Sequence, residues 1–234
     1  MRTHATAQLI GGRSHQCDAT ATYAGAGSGT RAYALLDGIG SSDEVRDWTR
    51  TYARRLARAA ARDGAEAGLR AVHALAAAEP DRDTWKAAHL PAAVAVVAVA
   101  EPGAPLSVAW CGDARAYLAP PDGPSLVRLT TDHNMRQVLL DMGAVPGPYA
   151  RNTVTSYLGD IRETPAIESV TAPAAGRLLL ASDGCYEPLE DHDLDLSVYL
   201  TDTTPYQAAR ALVRAAVTHA GTHADNATAL VADL

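Results

Sequence analysis

Short apolar runs of strand length recur along this chain, and one long helical stretch interrupts them. Runs at 92–100, 106–111 and 177–181 predict buried strands, and Gly- and Pro-containing turn signals lie between the strands. Residues 42–78 instead repeat apolar side chains at helical spacing, and Gly64 is expected to divide them into two helices. Runs of strands around a helical pair favour an α+β fold with antiparallel sheets over alternating βαβ units.

Aspartates border several of these apolar runs, although an ionised Asp is a poor strand residue and costly to bury unpaired. The five of interest are Asp18, Asp37, Asp113, Asp183 and Asp225. Carboxylates gathered at the ends of core strands repel one another unless a cation lies between them. Mg²⁺ and Mn²⁺ prefer oxygen ligands of this kind. The pattern therefore predicts a metal centre that is assembled from distant parts of one chain.

The formal charge of −7 over 234 residues limits the kinds of partner that the chain can bind. A nucleic-acid surface normally carries a basic stripe, so we expect no nucleic-acid partner. The longest apolar run, 91–100, is about half the length needed to span a bilayer, and the first residues lack the apolar core of a signal peptide. Three cysteines without a pattern are typical of reduced thiols. We therefore expect a cytoplasmic protein without a membrane segment, and we expect it to be a monomer.

Six motifs follow one another along the chain, and their order is more specific than any one of them. They are RSHQCDA, ALLDGIG, VAWCGDARAYL, LTTDHN, LLLASDGCYEPLED and ADNATALVADL. A lone DG or SDG would indicate only a turn, because both are common turn dipeptides. Taken together and in this order, the motifs resemble the bacterial metal-dependent Ser/Thr protein phosphatases of type 2C, over nearly the whole chain.

The resemblance implies an architecture and a reaction. Members of the family fold as a two-sheet antiparallel β-sandwich flanked by helices on both outer faces, which agrees with the α+β pattern. The expected organisation is a single domain over residues 1–234, with a short flap at about 134–158. In the family, two Mn²⁺ or Mg²⁺ ions are bridged by an aspartate and a water. That water attacks the phosphorus of a phosphoserine or phosphothreonine in line.

The same resemblance assigns four residues to the paired ions. Asp37 matches the bridging aspartate, and the backbone carbonyl of Gly38 matches a second ligand. Asp183 and Asp225 match the remaining carboxylate ligands. Two cations about 3.5–4 Å apart can clamp phosphoryl oxygens and lower the pKa of a bridging water, so no protein nucleophile is needed. We expect Asp37 and Asp183, together with Arg13, to be the catalytic residues.

Three further residues are expected to support the site. Asp18 matches an acidic residue that acts through metal-bound water, and Asp113 matches the aspartate that holds a third metal in bacterial members. Arg13 matches the arginine that grips substrate phosphate, a contact that suits the fork of a guanidinium. Asp132, in TTDHN, also belongs to the family pattern, but a role as a helix N-cap explains it equally well.

Three departures from the family pattern leave two functions open. Cys17 stands where a glutamate is usual, Ile39 stands where some eukaryotic members have a histidine proposed as general acid, and the flap is short. We expect Cys17 to be a spectator thiol, and we expect the leaving group to take its proton from water or another group. The first function is an active phosphatase that opposes bacterial Ser/Thr kinases or acts on an anti-sigma-factor pathway. The second is a catalytically weak regulatory module that binds metal or a phosphoprotein partner.

Two other features are expected to carry no chemistry of their own. His219 and His223 are four residues apart, but Gly221 is expected to end the helix between them. This favours two separate surface histidines over a zinc pair. The arginines spaced along residues 46–62 favour a solvated helix face, and a docking surface for an acidic partner is the alternative.

Overall fold

The computed structural model describes residues 3–121, 125–162 and 165–234, and in that part of the chain two antiparallel sheets of five strands each are formed. The strands are β1 (His4–Leu9), β2 (Ala19–Ala24), β3 (Arg31–Ile39), β4 (Ala92–Ala100), β5 (Leu106–Cys111), β6 (Arg115–Ala119), β7 (Val127–Arg128), β8 (Glu168–Ala172), β9 (Arg177–Ala181) and β10 (Ala227–Asp233). The α-helices are α1 (Asp43–Asp63), α2 (Ala65–Ala77), α3 (Met135–Asp141), α4 (Asp183–Glu190) and α5 (Pro205–Ala220). Short 3₁₀ helices cover Trp85–His89, Ala150–Asn152, Leu196–Tyr199 and Gly221–His223.

The two sheets face each other, and helices cover their outer sides. One sheet has the order β1-β10-β9-β6-β7, and the other has the order β2-β3-β4-β5-β8. Leu35 and Leu180 lie in the apolar layer between the sheets. Leu56 of α1 packs on the outer face of one sheet, and Leu212 of α5 packs on the outer face of the other. Each fully buried leucine contributes about 1.5–3 kcal/mol to the stability of this three-layer core. The predicted α+β sandwich with helices on both outer faces is confirmed.

Helix α1 begins and ends where the sequence indicates. The hydroxyl of Ser42 accepts a hydrogen bond from the backbone N–H of Val45 at 3.2 Å, which caps the first turn. Asp43 places a negative charge near the helix N-terminus, which the helix dipole favours. Gly64 adopts a φ of 90°, a conformation that L side chains rarely take, and so separates α1 from α2. The exposed side chain of Arg54 lies on the predicted solvated face of α1.

Two elements carry too little sequence signal to be predicted. Strand β1 is an edge strand in which exposed and partly buried residues alternate, so it lacks the apolar run of an inner strand. Helix α4 contains Pro188 in its interior, and proline normally argues against a helix. A third element, α3, has only 7 residues, and none of them is buried.

Two compositional predictions can be compared directly with the structure. Cys17, Cys111 and Cys185 are all buried and free, which confirms the prediction of reduced thiols. Among the described residues, no helix combines the length and apolar character that are needed to cross a membrane. The predicted domain of residues 1–234 includes residues 1–2, 122–124 and 163–164, which lie outside the described part.

Candidate metal centre

The five predicted aspartates come together where strand ends from both sheets meet. A cleft of about 630 Å³ opens at this place. Its lining includes Arg13, Asp37, Gly38, Asp113, Asp183 and Asp225. Asp18 lies beneath the cleft surface with only 2% of its area exposed, and its carboxylate interacts electrostatically with Asp183 and Asp225. Residues from distant parts of the chain are thus gathered into one acidic cluster, as the sequence predicts.

Asp183 and Asp225 are neighbours because β9 and β10 are adjacent strands. Their pairing continues one residue beyond the end of β9, to Ser182. The backbone N–H of Ser182 donates to the carbonyl of Thr228 at 3.1 Å. The backbone N–H of Thr228 in turn donates to the hydroxyl of Ser182 at 2.9 Å. Asp183 directly follows Ser182 as the first residue of α4, and Asp225 lies two residues before the start of β10.

Asp37 and Gly38 lie inside the last part of β3 and not in a turn after it, which corrects the sequence interpretation. Asp37 is paired with Val94 of β4 in the sheet register. A Cβ atom at Gly38 would lie 2.7 Å from the carbonyl oxygen of Cys17 and 2.8 Å from Val45 Cγ1. Only glycine therefore fits at position 38 without displacing the strand or α1.

Burial and mutual repulsion raise the pKa of four aspartates. Burial, and then the charge of Asp183, raise the pKa of Asp18 and of Asp113 to about 7. Burial, followed by the charge of Asp18, raises the pKa of Asp37 well above its usual range. Burial and the charge of Asp225 likewise raise the pKa of Asp183. Such a cluster costs folding free energy unless protons or cations neutralise it.

The donor atoms of the cluster fit a hard divalent cation. Both carboxylate oxygens of Asp18 are buried and accept no well-formed hydrogen bond from the described residues, although the hydroxyls of Thr228 and Ser182 lower its pKa. The carboxyl groups of Asp37 and Asp183 lie close enough for each to affect the pKa of the other. No three Asp, Glu, His or Cys side chains in the described part of the chain are arranged closely enough to enclose one ion. The oxygen-only donor set nevertheless matches the preference of Mn²⁺ and Mg²⁺.

Arg13 lies at the rim of the cleft and contacts Asp225. Its Nη2 atom donates to Asp225 Oδ2 at 2.5 Å, while 47% of the Arg13 side chain and 38% of the Asp225 side chain remain exposed. The preceding loop is held by a hydrogen bond from the Gly12 N–H to the carbonyl of Ala224 at 2.7 Å. Gly11 has a φ of 64°, and a Cβ there would lie 2.3 Å from the carbonyl oxygen of Asp225. Close backbone packing therefore positions Arg13 beside the acidic cluster.

A comparison with known proteins finds relatives that agree with this fold and this acidic cleft. The sequence model of the Protein phosphatase 2C family matches residues 12–220. The chain belongs to the protein phosphatase 2C family. The serine/threonine protein phosphatase PstP of Mycobacterium tuberculosis is 26% identical over 223 residues, which cover 88% of this chain and 41% of that protein. The chain thus spans about two fifths of the length of the curated relatives that it matches.

Solved structures of protein phosphatase 2C relatives share the architecture. The crystal structure of PstP from M. tuberculosis superposes with a TM-score of 0.76 at 26% identity, over 100% of this chain and 98% of that one. A structure of the catalytic domain of PstP in complex with two manganese ions has a TM-score of 0.74 at 25% identity, over 99% of this chain and 97% of that one. The family predicted from the motif order is therefore confirmed, and the family is metal-dependent.

Cys17 and Ile39 are two departures of this phosphatase 2C chain from the family pattern. The Cys17 thiol is buried and donates to the backbone carbonyl of Ser42 at 3.6 Å, which places it at the start of α1. Burial raises the pKa of this thiol, so it is a poor nucleophile, in agreement with a spectator role. Ile39 is 44% exposed and lines the cleft, where it supplies apolar surface and no proton.

Three residues that line the cleft of this phosphatase 2C chain, Arg151, Glu187 and Asp191, are not among the predicted site residues, although Glu187 and Asp191 lie within the motif LLLASDGCYEPLED. Arg151, from the predicted flap, donates to both carboxylate oxygens of Asp191 at 2.7 and 2.8 Å and lies 3.2 Å from Glu187 Oε2. Burial, followed by the charge of Asp183, raises the pKa of Glu187 to about 8. Asp183, Glu187 and Asp191 are spaced four residues apart, and this spacing is typical of side chains that share one face of a helix. Pro188 hides that signal, because it argues against a helix.

Asp132 neither caps a helix nor lines the metal-centre cleft. It accepts hydrogen bonds from Nε and Nη2 of Arg115 at 2.9 and 2.8 Å, and Arg115 also donates to Glu190 at 2.7 Å. The Arg115 guanidinium lies 3.6 Å from the centre of the Tyr186 ring. Asn134 is the residue that caps α3. The interpretation of Asp132 as an N-cap is therefore wrong, and its role is to pair with a buried arginine.

Proposed function

We propose that this chain is a phosphoprotein phosphatase that uses Mn²⁺ or Mg²⁺ to hydrolyse phosphoserine and phosphothreonine. The observation that carries the proposal is the group of aspartates with raised pKa values that meets in one cleft beside an exposed arginine. Cations relieve the mutual repulsion of these carboxylates, and a phosphate dianion is a natural ligand of both the cations and the arginine. Membership of the protein phosphatase 2C family supports the same reaction class.

We assign the paired ions to Asp37, the carbonyl of Gly38, Asp183 and Asp225. Bound Mn²⁺ or Mg²⁺ would lower the pKa of a coordinated water that attacks phosphorus, and would neutralise the phosphoryl oxygens. Asp37 would contribute to both ions, because it matches the bridging aspartate of the family and lines the cleft together with Asp183. The rigid strand position of Asp37 and the helix-start position of Asp183 hold both carboxylates in place before substrate binds.

Two further aspartates have supporting roles in this proposal. Asp18 is buried beneath the cluster, and its carboxylate oxygens accept no well-formed hydrogen bond from the described residues, so they can accept hydrogen bonds from water molecules that complete the site. Asp113 lies in the turn between β5 and β6 and receives a hydrogen bond from Asn134 Nδ2 at 3.3 Å. Its place on the cleft wall suits a third ion. Asn134 begins the segment 134–158, which we propose as a short flap of a single phosphatase domain.

Arg13 is the residue that we propose for holding the substrate phosphate. It lies at the cleft rim, it is half exposed, and its guanidinium can form two parallel hydrogen bonds with a phosphate. Its contact with Asp225 shows that an oxyanion fits its donor atoms at this position. Because Ile39 offers no proton, we expect solvent water to protonate the leaving hydroxyl of serine or threonine.

The alternative of a catalytically weak regulatory module has less support. All five aspartates and Arg13 are present, whereas a chain that only binds phosphoproteins would not need to keep the whole set. The Cys17 thiol contacts the start of α1 and not the cleft, so the replacement of the usual glutamate places no reactive group among the aspartates. The proposed partners are proteins phosphorylated on Ser or Thr that belong to a kinase pathway or an anti-sigma-factor pathway. We propose that the chain acts on them in the cytoplasm as a monomer.

Phosphate release from synthetic peptides tests the proposal. The protein is incubated with phosphoserine, phosphothreonine and phosphotyrosine versions of one peptide, in Mn²⁺ and in chelator. We expect release from the first two peptides in Mn²⁺ only, and a loss of release in Asp183→Ala with the fold retained by circular dichroism. Equal release by Asp183→Ala and wild type would show that the assignment of the site is wrong.

A further inference from the structure

Two histidines from different parts of the chain meet on one wall of the cleft. His192 lies two residues after the end of α4, and His219 lies in the last turn of α5. Their ring centres are 4.8 Å apart, and their ring planes are inclined by 52°. Both rings line the cleft that holds the aspartate cluster. Gly221 ends α5 as expected, and the residue that lies against His219 is His192 and not His223.

The hydrogen bonding of His192 prepares its ring to bind a metal ion. Its Nδ1 atom lies 2.8 Å from the backbone carbonyl oxygen of Pro188. A carbonyl oxygen only accepts, so Nδ1 must carry the proton, and the neutral ring then has its lone pair on Nε2. Histidines that bind metal ions usually donate their other N–H to a carbonyl or carboxylate in this way, which fixes the tautomer and the ring orientation.

The separation of the two rings also fits a shared ion. With metal–nitrogen bonds of about 2.0–2.1 Å and a bond angle near tetrahedral, two imidazole rings on one ion have centres about 5 Å apart. The observed 4.8 Å agrees with this distance, and the ring planes are inclined by 52° and not stacked face to face. Side chains from two separate elements therefore already have the spacing of a chelating pair.

We propose that His192 and His219 bind one divalent transition-metal ion of the Zn²⁺, Ni²⁺ and Cu²⁺ class on the cleft wall. Imidazole nitrogen suits these ions, whereas Mg²⁺ and Mn²⁺ prefer the oxygen donors of the aspartates. The cleft would therefore hold two kinds of ion site, one with oxygen donors from the aspartates and one with nitrogen donors from the two histidines. This proposal is independent of the proposed phosphatase activity, because it concerns only the binding of an ion by two imidazoles.

The remaining coordination positions of this ion would face the cleft. No third Asp, Glu, His or Cys side chain among the described residues completes the site, so water or a phosphate oxygen would take these positions. The adjacent Asp191 carboxylate is already occupied by both Nη atoms of Arg151. An ion at this place would lie in the same cleft as the aspartate cluster.

Calorimetric titration with Zn²⁺ in the presence of excess Mg²⁺ tests the proposal. Excess Mg²⁺ competes with Zn²⁺ for the oxygen-rich site, and the heat that is lost in the histidine variants reports on the nitrogen site. We expect the wild-type protein to bind one equivalent of Zn²⁺, and we expect His192→Ala and His219→Ala each to weaken binding by about tenfold or more. His89→Ala, which changes another exposed histidine on a 3₁₀ helix away from the cleft, serves as the matched control and should bind Zn²⁺ as wild type does.

Imidazole ¹⁵N NMR provides a second readout that a purely structural role would not change. One equivalent of Zn²⁺ should shift the Nε2 resonance of His192 together with a ring nitrogen of His219, while the Nδ1–H of His192 is retained. Because both side chains are exposed, the alanine variants are expected to fold normally, and circular dichroism checks this. Unchanged Zn²⁺ affinity in both variants, or no ¹⁵N shift at either ring, would overturn the proposal.

Discussion

Arg13 Nη2 lies 2.5 Å from Asp225 Oδ2, so the residue proposed to bind phosphate is paired with a residue proposed to bind a metal ion. Both side chains stand at the rim of the cleft and are partly exposed. A surface pair of this kind is weak and exchanges readily. Binding of a cation at Asp225 would release Arg13, and substrate phosphate could then take the place of the carboxylate. The pairing thus couples the two halves of the proposed site.

The first prediction concerns Arg13→Ala. Losing one charge-assisted contact to phosphate costs about 1.5–3 kcal/mol, so KM for a phosphothreonine peptide should rise by about tenfold or more. Mn²⁺ affinity should be unchanged or tighter, because Asp225 loses its competing partner. Steady-state kinetics and calorimetry measure the two effects. Arg54→Ala, at an exposed position on α1, is the matched control, and an unchanged KM in Arg13→Ala would count against the phosphate-binding role.

The second prediction concerns Asp37→Asn. The neutral amide removes a buried carboxylate, so the variant should be at least as stable as the wild type in chelator. It should gain less stability from Mn²⁺, and its turnover should fall by at least about 10²-fold. Thermal unfolding with and without Mn²⁺ measures the difference. Asp141→Asn, at an exposed position on α3, should behave as wild type, and an equal Mn²⁺ response in Asp37→Asn would remove that residue from the metal site.

The third prediction concerns pH and the stability of the protein in chelator. Asp18 and Asp113 have a pKa of about 7 in the folded chain, whereas the ordinary value is 3.8. The folded state therefore binds more protons than the unfolded state between these two values, and the free energy of unfolding falls as pH rises through that window. Urea unfolding at about pH 5 and about pH 8 should show lower stability at the higher pH, and Asp113→Asn should reduce the difference. Stability that is flat or rises with pH would contradict the raised pKa values.

The fourth prediction concerns the buried pair of Arg115 and Asp132, whose side chains are 3% and 6% exposed. Arg115→Leu leaves the Asp132 carboxylate buried with fewer donors, and it should lower the free energy of unfolding by about 3–5 kcal/mol. Adding Asp132→Leu should restore part of the loss, because the unpaired charge is then removed. Denaturant unfolding measures both variants. A loss below about 1 kcal/mol in the single variant would show that this pair is not structurally important.

The sequence predicts the inner strands and α1 well because their signals are local. The strand over Ala92–Ala100 is an unbroken run of alanine and valine, and its bounds agree with the prediction residue for residue. Ser42 and Gly64 mark the ends of α1 by capping and by a positive φ, which are properties of single residues. Strand β1 has no such signal, because its place in the sheet depends on pairing with β10 at the far end of the chain.

The candidate site was predictable to the extent that it follows from motif order. The five aspartates meet as expected, but their order in the sequence does not reveal that Arg13 contacts Asp225. Arg151 is not predicted because it lies on a 3₁₀ helix of only three residues, and Glu187 is not predicted because its helix contains Pro188. The pairing of His192 with His219 depends on the packing of α4 against α5, which no local pattern encodes.

The most direct test of the proposed function is the rate of phosphate release from a phosphothreonine peptide as Mn²⁺ is titrated into chelator-treated protein. We expect no release without the ion, saturable release as Mn²⁺ is added, and no such response in Asp37→Asn. Absence of Mn²⁺-dependent release by the folded wild-type protein would contradict the proposed function.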